Sequence, residues 1–368
     1  MIYILIQLIV ANLFLLSEKD NNFTKKKNSN VYKILIFEIL VLFAGLRNYS
    51  VGLDTNNYLK NYTDIDKRLT LSTTHPFEFL YQLLNFVVAL CFDDAIGFQL
   101  VLIINTAILV FNYLYVTDKI SSNKLLSLML FYSLSGYLSS FNQLRQVVAI
   151  SFLVMASLFA YKKQPFKYLL FVIIAFLFHK STIIFLPTYF IFNCNNKKIL
   201  YILYGFTISL FVIVCCYFDN IVNIVNKVVT IDYFNKYTNY KSYESLNVST
   251  MIKIVGSVIL CIAIFLRTFF VSNHKDKISM LQLNYFLCLS CLLYVLGIFK
   301  GNLIMRFVPV FYWVLMFLLP QLVNSFKSEK IKHFLTISMF IATIVYTGLI
   351  TEIKDIYGIN PYKLYFVG

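Results

Sequence analysis

The chain has 368 residues, of which 59% are hydrophobic and only 13% are charged. So few charged residues cannot cover the surface of a soluble globular protein of this length. The formal net charge is +15, but the lysines stand in short clusters between long apolar runs. That pattern is typical of cytoplasmic membrane loops and not of a nucleic-acid-binding face. The composition predicts an all-α polytopic membrane protein with the lipid bilayer, and no nucleic acid, as its surroundings.

The seven cysteines lie within or at the ends of apolar runs, and the four histidines are scattered along the chain. We interpret the cysteines as small apolar filling residues. The scattered histidines do not indicate a metal site. We therefore expect neither a metal nor another cofactor.

Apolar runs of suitable length, separated by short polar segments, predict about 12 transmembrane helices in one integral membrane domain, residues 1–368. The predicted spans are 2–16, 31–46, 96–117, 125–140, 145–161, 168–178, 182–193, 199–218, 251–271, 279–299, 303–325 and 334–350. The segment 77–92 is short, and its polar residues recur at helical spacing, which favours a helix lying in the membrane interface.

Two polar residues are predicted to cap helices. Asn142 stands just before the run that begins near Arg145, and Ser181 follows a predicted helix break at His179. Serine and asparagine accept hydrogen bonds from the free N–H groups of a first helical turn. The break at His179 is expected to border protein or a wet cavity, because bare lipid cannot satisfy non-helical backbone.

Lysine clusters predict which loops face the cytoplasm. The segments 162–167 and 272–278 are basic and are expected inside. The two long loops, 47–76 and 219–250, are then expected outside.

The arginines are not distributed like the lysines. Arg47, Arg145 and Arg306 fall at the outer ends of predicted helices. Because arginine can hold a phosphate with two parallel hydrogen bonds, this placement favours an anionic ligand such as a lipid diphosphate. The alternative is that these arginines reach the membrane interface or pair with acidic residues, for which the candidates are Asp54, Asp93 and Glu78.

Two further residues are candidates on the residues alone, each with a structural alternative. His179 could act chemically or could tie two short helices together. Asp54, with Tyr58 one turn later, could orient a hydroxyl or could simply pair with an arginine.

Four sequence blocks carry a resemblance to a known family. RNYSVGLDTNNY (47–58) resembles the arginine…glycine-x-aspartate…tyrosine motif of the EpsG family of Wzy-like polysaccharide polymerases. NQLRQVVAISF (142–152), AFLFHKSTIIFLP (175–187) and NPYKLYF (360–366) are similar to further blocks of that family, in the same order. Leu53 departs from the pattern, since many relatives carry a small or polar residue there.

The resemblance implies a metal-independent glycosyltransferase with a fold like that of membrane enzymes that use lipid-linked donors (GT-C-like). It would move a growing glycan from undecaprenyl diphosphate onto the next lipid-linked repeat unit, at the outer face of the bacterial inner membrane. Its partners would be undecaprenyl diphosphate-linked oligosaccharides and a chain-length regulator protein.

The resemblance also implies roles for individual residues. Arg47, Arg145 and Arg306 would bind the diphosphate, and His179 and Asp54 would activate or orient the acceptor hydroxyl. The residues expected to orient the substrate are Tyr58, Glu78, Gln146 and Lys180. The surface glycan concerned (O-antigen, capsule or exopolysaccharide), its sugars and its linkage are left open.

Two other functions stay open beside the polymerase. A lipid-linked oligosaccharide flippase would also need cationic groups, but it should show internal repeats and deep central charges. An O-antigen ligase-type enzyme, or another glycosyltransferase with a lipid-linked donor, would need much the same residues as the polymerase.

Overall fold

The computed structural model describes residues 1–19, 26–64, 77–92, 94–228, 248–300 and 302–366. Every regular element in these ranges is helical, as the composition predicts. Within them, five helices are long and apolar enough to cross a membrane: Ile96–Ile120, Leu144–Tyr161, Lys197–Tyr217, His274–Ile298 and Glu329–Ile353. Shorter apolar helices accompany them. The chain is an all-helical polytopic membrane protein, while the total of about 12 spans and the GT-C-like arrangement stay predictions.

The chain divides into two compact units, of which the first comprises Met1–Ile183 and Phe326–Gly368. Its helices are α1 (Ile2–Lys19), α2 (Lys26–Gly45), α3 (Thr55–Thr63), α4 (Phe79–Cys91), α5 (Asp94–Ile120), α6 (Lys124–Leu130), α7 (Leu144–Tyr161), α8 (Pro165–Phe178) and, near the C-terminus, α16 (Glu329–Gly348). Helix α7 is buried along most of its length and packs against α5 and α8. This helix therefore forms the core of the first unit.

The second unit comprises Ile184–Ser325. Its helices are α9 (Thr188–Phe192), α10 (Lys197–Val228), α11 (Val248–Thr268), α12 (His274–Lys300), α13 (Asn302–Met305), α14 (Val308–Tyr312) and α15 (Leu315–Asn324). Helix α12 packs against most of the others. An aromatic cluster forms the centre of this unit, with the rings of Phe185, Phe192, Phe286, Phe311 and Trp313 in contact.

Three predicted spans are wrong as continuous helices. The predicted span 182–193 consists of a 3-10 helix, Lys180–Phe185, followed by the short helix α9. The predicted span 125–140 ends as an α-helix at Leu130 and continues through a π-helical turn and a 3-10 turn, Leu138–Phe141. The predicted span 303–325 is divided into α13, α14 and α15. Pro309 lies in the first turn of α14, where it has no backbone N–H to donate.

The predicted outer loops are partly helical. Helix α3 lies within 47–76, and α10 continues past a kink at Tyr217 to Val228, inside the predicted loop 219–250. Residues 65–76 and 229–247 of these two loops lie outside the described residues. The predicted interfacial segment 77–92 does form a helix, α4, which packs against α5 and α8. Its place relative to the membrane surface stays a prediction.

The C-terminal segment fixes the loop that follows α2. Arg47 and Leu364 form an isolated antiparallel bridge. Beside it, the N–H of Asn48 donates to the carbonyl of Lys363 at 2.9 Å, and the N–H of Tyr365 donates to the carbonyl of Leu46 at 2.8 Å. The two chain segments of the first unit are thus joined at Arg47, where the first sequence motif begins.

Candidate functional site

Glu78, Arg145 and His179 come together in the first unit from three separate parts of the chain. Glu78 directly precedes α4, Arg145 lies in the first turn of α7, and His179 directly follows α8. The Arg145 guanidinium donates a hydrogen bond to Oε2 of Glu78. The other carboxylate oxygen, Oε1, lies 3.1 Å from Nδ1 of His179. One carboxylate therefore joins two of the predicted functional residues.

Aromatic rings surround the Arg145 guanidinium. Its Cζ lies 3.9 Å from the ring centroid of Phe77 and 5.8 Å from those of Tyr58 and Tyr81. A guanidinium over ring faces gains a cation–π attraction that grows as water is excluded. Nε of Arg145 is buried and has no hydrogen-bond partner among the described residues. The group is thus held firmly while one of its donors is unused.

The predicted break at His179 is confirmed. Helix α8 ends at Phe178, His179 is extended with φ −160° and ψ 119°, and a 3-10 helix follows over Lys180–Phe185. The extended residue turns the chain so that the N–H of Lys180 lies 3.4 Å from Oε1 of Glu78. The Lys180 side chain is exposed.

Ser181 does not act as the predicted helix cap. It lies inside the 3-10 helix, and its buried hydroxyl has no hydrogen-bond partner among the described residues. Nε2 of His179 likewise has no hydrogen-bond partner among the described residues, although the side chain is only 9% exposed. Nδ1, which lies 3.1 Å from Oε1 of Glu78, does not meet hydrogen-bond geometry there either. Buried polar atoms normally find partners, so these atoms make the break at His179 a candidate place for a polar ligand.

The first motif contacts the segment that leads into α7. The backbone N–H of Asp54 donates to Oδ1 of Asn142 at 2.9 Å, and the hydroxyl of Tyr58 donates to the Asn142 carbonyl at 3.2 Å. Asn142 is therefore not the predicted cap of α7, whose N-cap residue is Gln143. Its side chain instead joins the motif at 47–58 to the helix that carries Arg145.

Arg47 is fully buried. Its guanidinium donates to the carbonyl of Ala44 at 2.6 Å and to that of Phe141 at 3.5 Å, and its Cζ lies 4.9 Å from the Phe141 ring centroid. Burial lowers the pKa of Arg47 to about 10, so the group stays charged at neutral pH. These contacts tie the end of α2 to the segment before α7.

The other predicted site residues are placed as follows. Gln146 follows Arg145 in the first turn of α7 and is buried. Arg306 lies in the second unit, in the turn between α13 and α14, and is partly buried. The structure thus gathers Tyr58, Glu78, Arg145 and His179 in the first unit.

The charge balance around Glu78 favours its ionised form. Burial alone raises the pKa of this carboxyl group, but His179 and Arg145 together outweigh burial and lower the pKa to about 2. Glu78 is therefore a carboxylate at any physiological pH. Its negative charge is shared by a guanidinium and an imidazole.

Sequence reasoning missed two parts of this site. Phe77 and Tyr81 flank Glu78 and form much of the aromatic surface around Arg145. Aromatic residues on both sides of a single acidic residue, in the stretch HPFEFLYQ, were the available signal.

No group of three histidine, cysteine or acidic residues in the described ranges could hold a metal ion. Cys288 and Cys291 do have a Cys-x-x-Cys spacing, but they lie within the apolar helix α12. The candidate site consists of an arginine, a carboxylate, an imidazole and several phenols.

The helices define a polytopic membrane protein, and the site has the cationic and imidazole groups suited to an anionic, hydroxyl-bearing ligand. Comparison with protein families is consistent with that class. The model of the EpsG family matches residues 30–364, nearly the whole chain. The chain belongs to the EpsG family, a family of Wzy-like polysaccharide polymerases. No curated protein and no solved structure matches it.

Proposed function

We propose that this protein polymerises a bacterial surface polysaccharide. It transfers a growing glycan from undecaprenyl diphosphate onto the next lipid-linked repeat unit, at the outer face of the inner membrane. Membership of the EpsG family supports a polymerase-type role. The observation that carries the proposal is the buried cluster of Glu78, Arg145 and His179, which places a cation and a proton acceptor side by side.

Arg145 is assigned to the lipid diphosphate. In glycosyl transfer from such a donor, negative charge builds up on the departing diphosphate, and a fixed guanidinium stabilises it. The aromatic rings and Glu78 hold the guanidinium in place, and its unpaired Nε–H is a donor for a phosphate oxygen. The diphosphate can thus bind without breaking the bond to Glu78.

His179 is assigned to the acceptor hydroxyl. Its Nε2 has no partner among the described residues, so the imidazole can accept a proton from a hydroxyl as that hydroxyl attacks the anomeric carbon. Asp54 and Tyr58 lie on the segment bonded to Asn142. Asp54 would activate or orient the acceptor hydroxyl, and Tyr58, Gln146 and Lys180 would orient the substrate. These roles, and the diphosphate roles of Arg47 and Arg306, stay predictions.

The function is tested by the chain length of the surface glycan in a deletion strain. A polymerase predicts single repeat units on the cell surface, and the long chains return with the intact gene. Loss of all surface glycan, with lipid-linked repeats held on the cytoplasmic face, would instead indicate a flippase. The chain-length regulator proposed as a partner would alter the length distribution only in the strain that keeps this protein.

A further inference from the structure

One carboxylate contacts both functional side chains of the site, and its two oxygens are divided between them. Oε2 of Glu78 accepts from Arg145, and Oε1 lies 3.1 Å from Nδ1 of His179. The side chain of Glu78 is only 7% exposed, and that of His179 only 9%. The contact to the imidazole is therefore largely shielded from water.

In a neutral imidazole, one nitrogen carries a proton and the other has a free lone pair. When Nδ1 carries the proton and faces a carboxylate, Nε2 has the lone pair and can accept a proton. In this site the carboxylate faces Nδ1, and Nε2 is buried without a partner among the described residues. A proton on Nδ1, toward Oε1 of Glu78, would leave the lone pair of Nε2 for a proton from the acceptor.

We propose that Glu78 is a positioning residue that acts through His179 and does not itself contact the acceptor sugar. This inference rests on the proposed polymerase function and gives its proton acceptor a partner. From the sequence and the family resemblance, Glu78 is expected among the residues that orient the substrate. The geometry assigns it to the imidazole, because Oε1 faces Nδ1 and Oε2 is bound to Arg145.

The transfer step balances with these groups alone. The acceptor oxygen forms a bond to the anomeric carbon, and the bond from that carbon to the diphosphate oxygen breaks. Its electron pair leaves with the lipid diphosphate, beside Arg145. The hydroxyl proton passes to Nε2 of His179, and the negative charge of Glu78 compensates the positive charge that the imidazole gains.

The contact to Arg145 offers the competing explanation, namely that Glu78 only holds the guanidinium. The two roles differ in the double variant of Glu78→Gln and His179→Gln. If Glu78 acts through His179, its loss adds nothing once the imidazole is gone, and Glu78→Gln alone changes the KM for the donor little. If it acts through Arg145 alone, its loss still weakens the stabilisation of the departing diphosphate and adds to the loss caused by His179→Gln.

The experiment is a set of variants in reconstituted full-length protein, assayed by extension of lipid-linked repeat units extracted from a strain lacking the protein. We expect Glu78→Gln and His179→Gln each to lower kcat by about 100- to 10,000-fold. The double variant should be no slower than His179→Gln alone. A positioning residue has nothing left to position once the imidazole is gone.

The control is Glu329→Gln, which makes the same chemical change in an exposed ion pair with Lys332 at the start of α16 and should leave extension unchanged. Glu78→Asp keeps the charge and should recover part of the loss. If Glu78→Gln fails to insert into the membrane, Glu78→Asp takes its place in the comparison with His179→Gln and in the double variant.

Three results would contradict the inference. One is a full additional loss in the double variant, another is parental turnover in Glu78→Gln, and the third is parental turnover in His179→Gln. Failure of the parent protein to extend the repeat unit would instead overturn the proposed function, and the inference with it.

Discussion

Gly52 lies directly against the carbonyl of Phe141, in the loop that holds Arg47 and Asp54. Its φ is +99°, and a Cβ at this position would overlap the Phe141 oxygen. Its N–H donates to the carbonyl of Gly358 at 2.8 Å. A residue without a side chain is therefore required where the first motif, the segment before α7 and the C-terminal segment meet.

We expect Gly52→Ala to destabilise the protein. A backbone conformation unfavourable to alanine costs about 1–3 kcal/mol, before the overlap with Phe141 is counted. Thermal unfolding of the detergent-solubilised protein measures the effect. Gly205→Ala is the matched control, because Gly205 is helical with nothing near its Cβ position and should be neutral or slightly stabilising. Equal unfolding temperatures for the two variants would contradict the requirement for glycine.

The sequence predicted those parts of the fold that depend on local patterns. The break at His179 was visible because three polar residues interrupt two apolar runs. The sequence pattern did not predict that 303–325 is divided into three helices. Arg306 and Pro309 indicate such breaks, but the prediction of a single span gave more weight to the length of the apolar run.

The arrangement of the site was less accessible from the sequence. The three arginines share a pattern in the sequence, but Arg47 is bound to backbone carbonyls, whereas Arg145 is bound to a carboxylate. Which acidic residue an arginine contacts depends on how separate helices pack. Composition and spacing contain no information on that packing, so Glu78 was only one of three candidate partners.

Arg145→Lys should fold but lose most polymerisation. A lysine ammonium is a point charge, and it lacks both the paired donors and the flat surface that lies over Phe77. The loss of one such contact at the departing diphosphate is worth about 100- to 1000-fold in rate. Extension of lipid-linked repeats by the reconstituted variant checks this expectation.

Arg267→Lys is the control for that substitution. Arg267 lies at the end of α11, and its guanidinium donates to the side chain and the carbonyl of Ser325. Extension at the parental rate is expected for this variant. Parental extension by a correctly inserted Arg145→Lys would show that the diphosphate does not require the guanidinium of Arg145.

The stability of the protein should depend on pH through Glu78. Its pKa falls from the ordinary 4.5 to about 2 on folding, so the folded state favours the carboxylate. This stabilisation is fully present above pH 4.5 and is lost as the pH falls toward 2. The shift corresponds to about 3 kcal/mol.

Unfolding temperatures measured between pH 7 and pH 3 test this dependence against Glu78→Gln. The variant has no carboxylate to protonate, so its unfolding temperature should fall less steeply than that of the parent over the acidic part of the range. Parallel curves for the two proteins would show that Glu78 is not the group responsible.

The last prediction concerns which side of the membrane two loops face. The basic segment 162–167 is expected in the cytoplasm, and the loop after α2 is expected outside. One exposed residue in each segment is suitable for labelling. Leu53 is 65% exposed, and Lys163 lies in the turn between α7 and α8.

After removal of the native cysteines, each of these two residues is replaced by cysteine and treated with a membrane-impermeant thiol reagent. We expect Leu53→Cys to react in intact cells and Lys163→Cys to react only after the membrane is permeabilised. Helix α7 separates the two segments and is long and apolar enough to cross the membrane, so the two positions should not be accessible from the same side. The reverse labelling would place the cluster of Arg145, Glu78 and His179 at the cytoplasmic end of α7, where an outer-face polymerase could not use it.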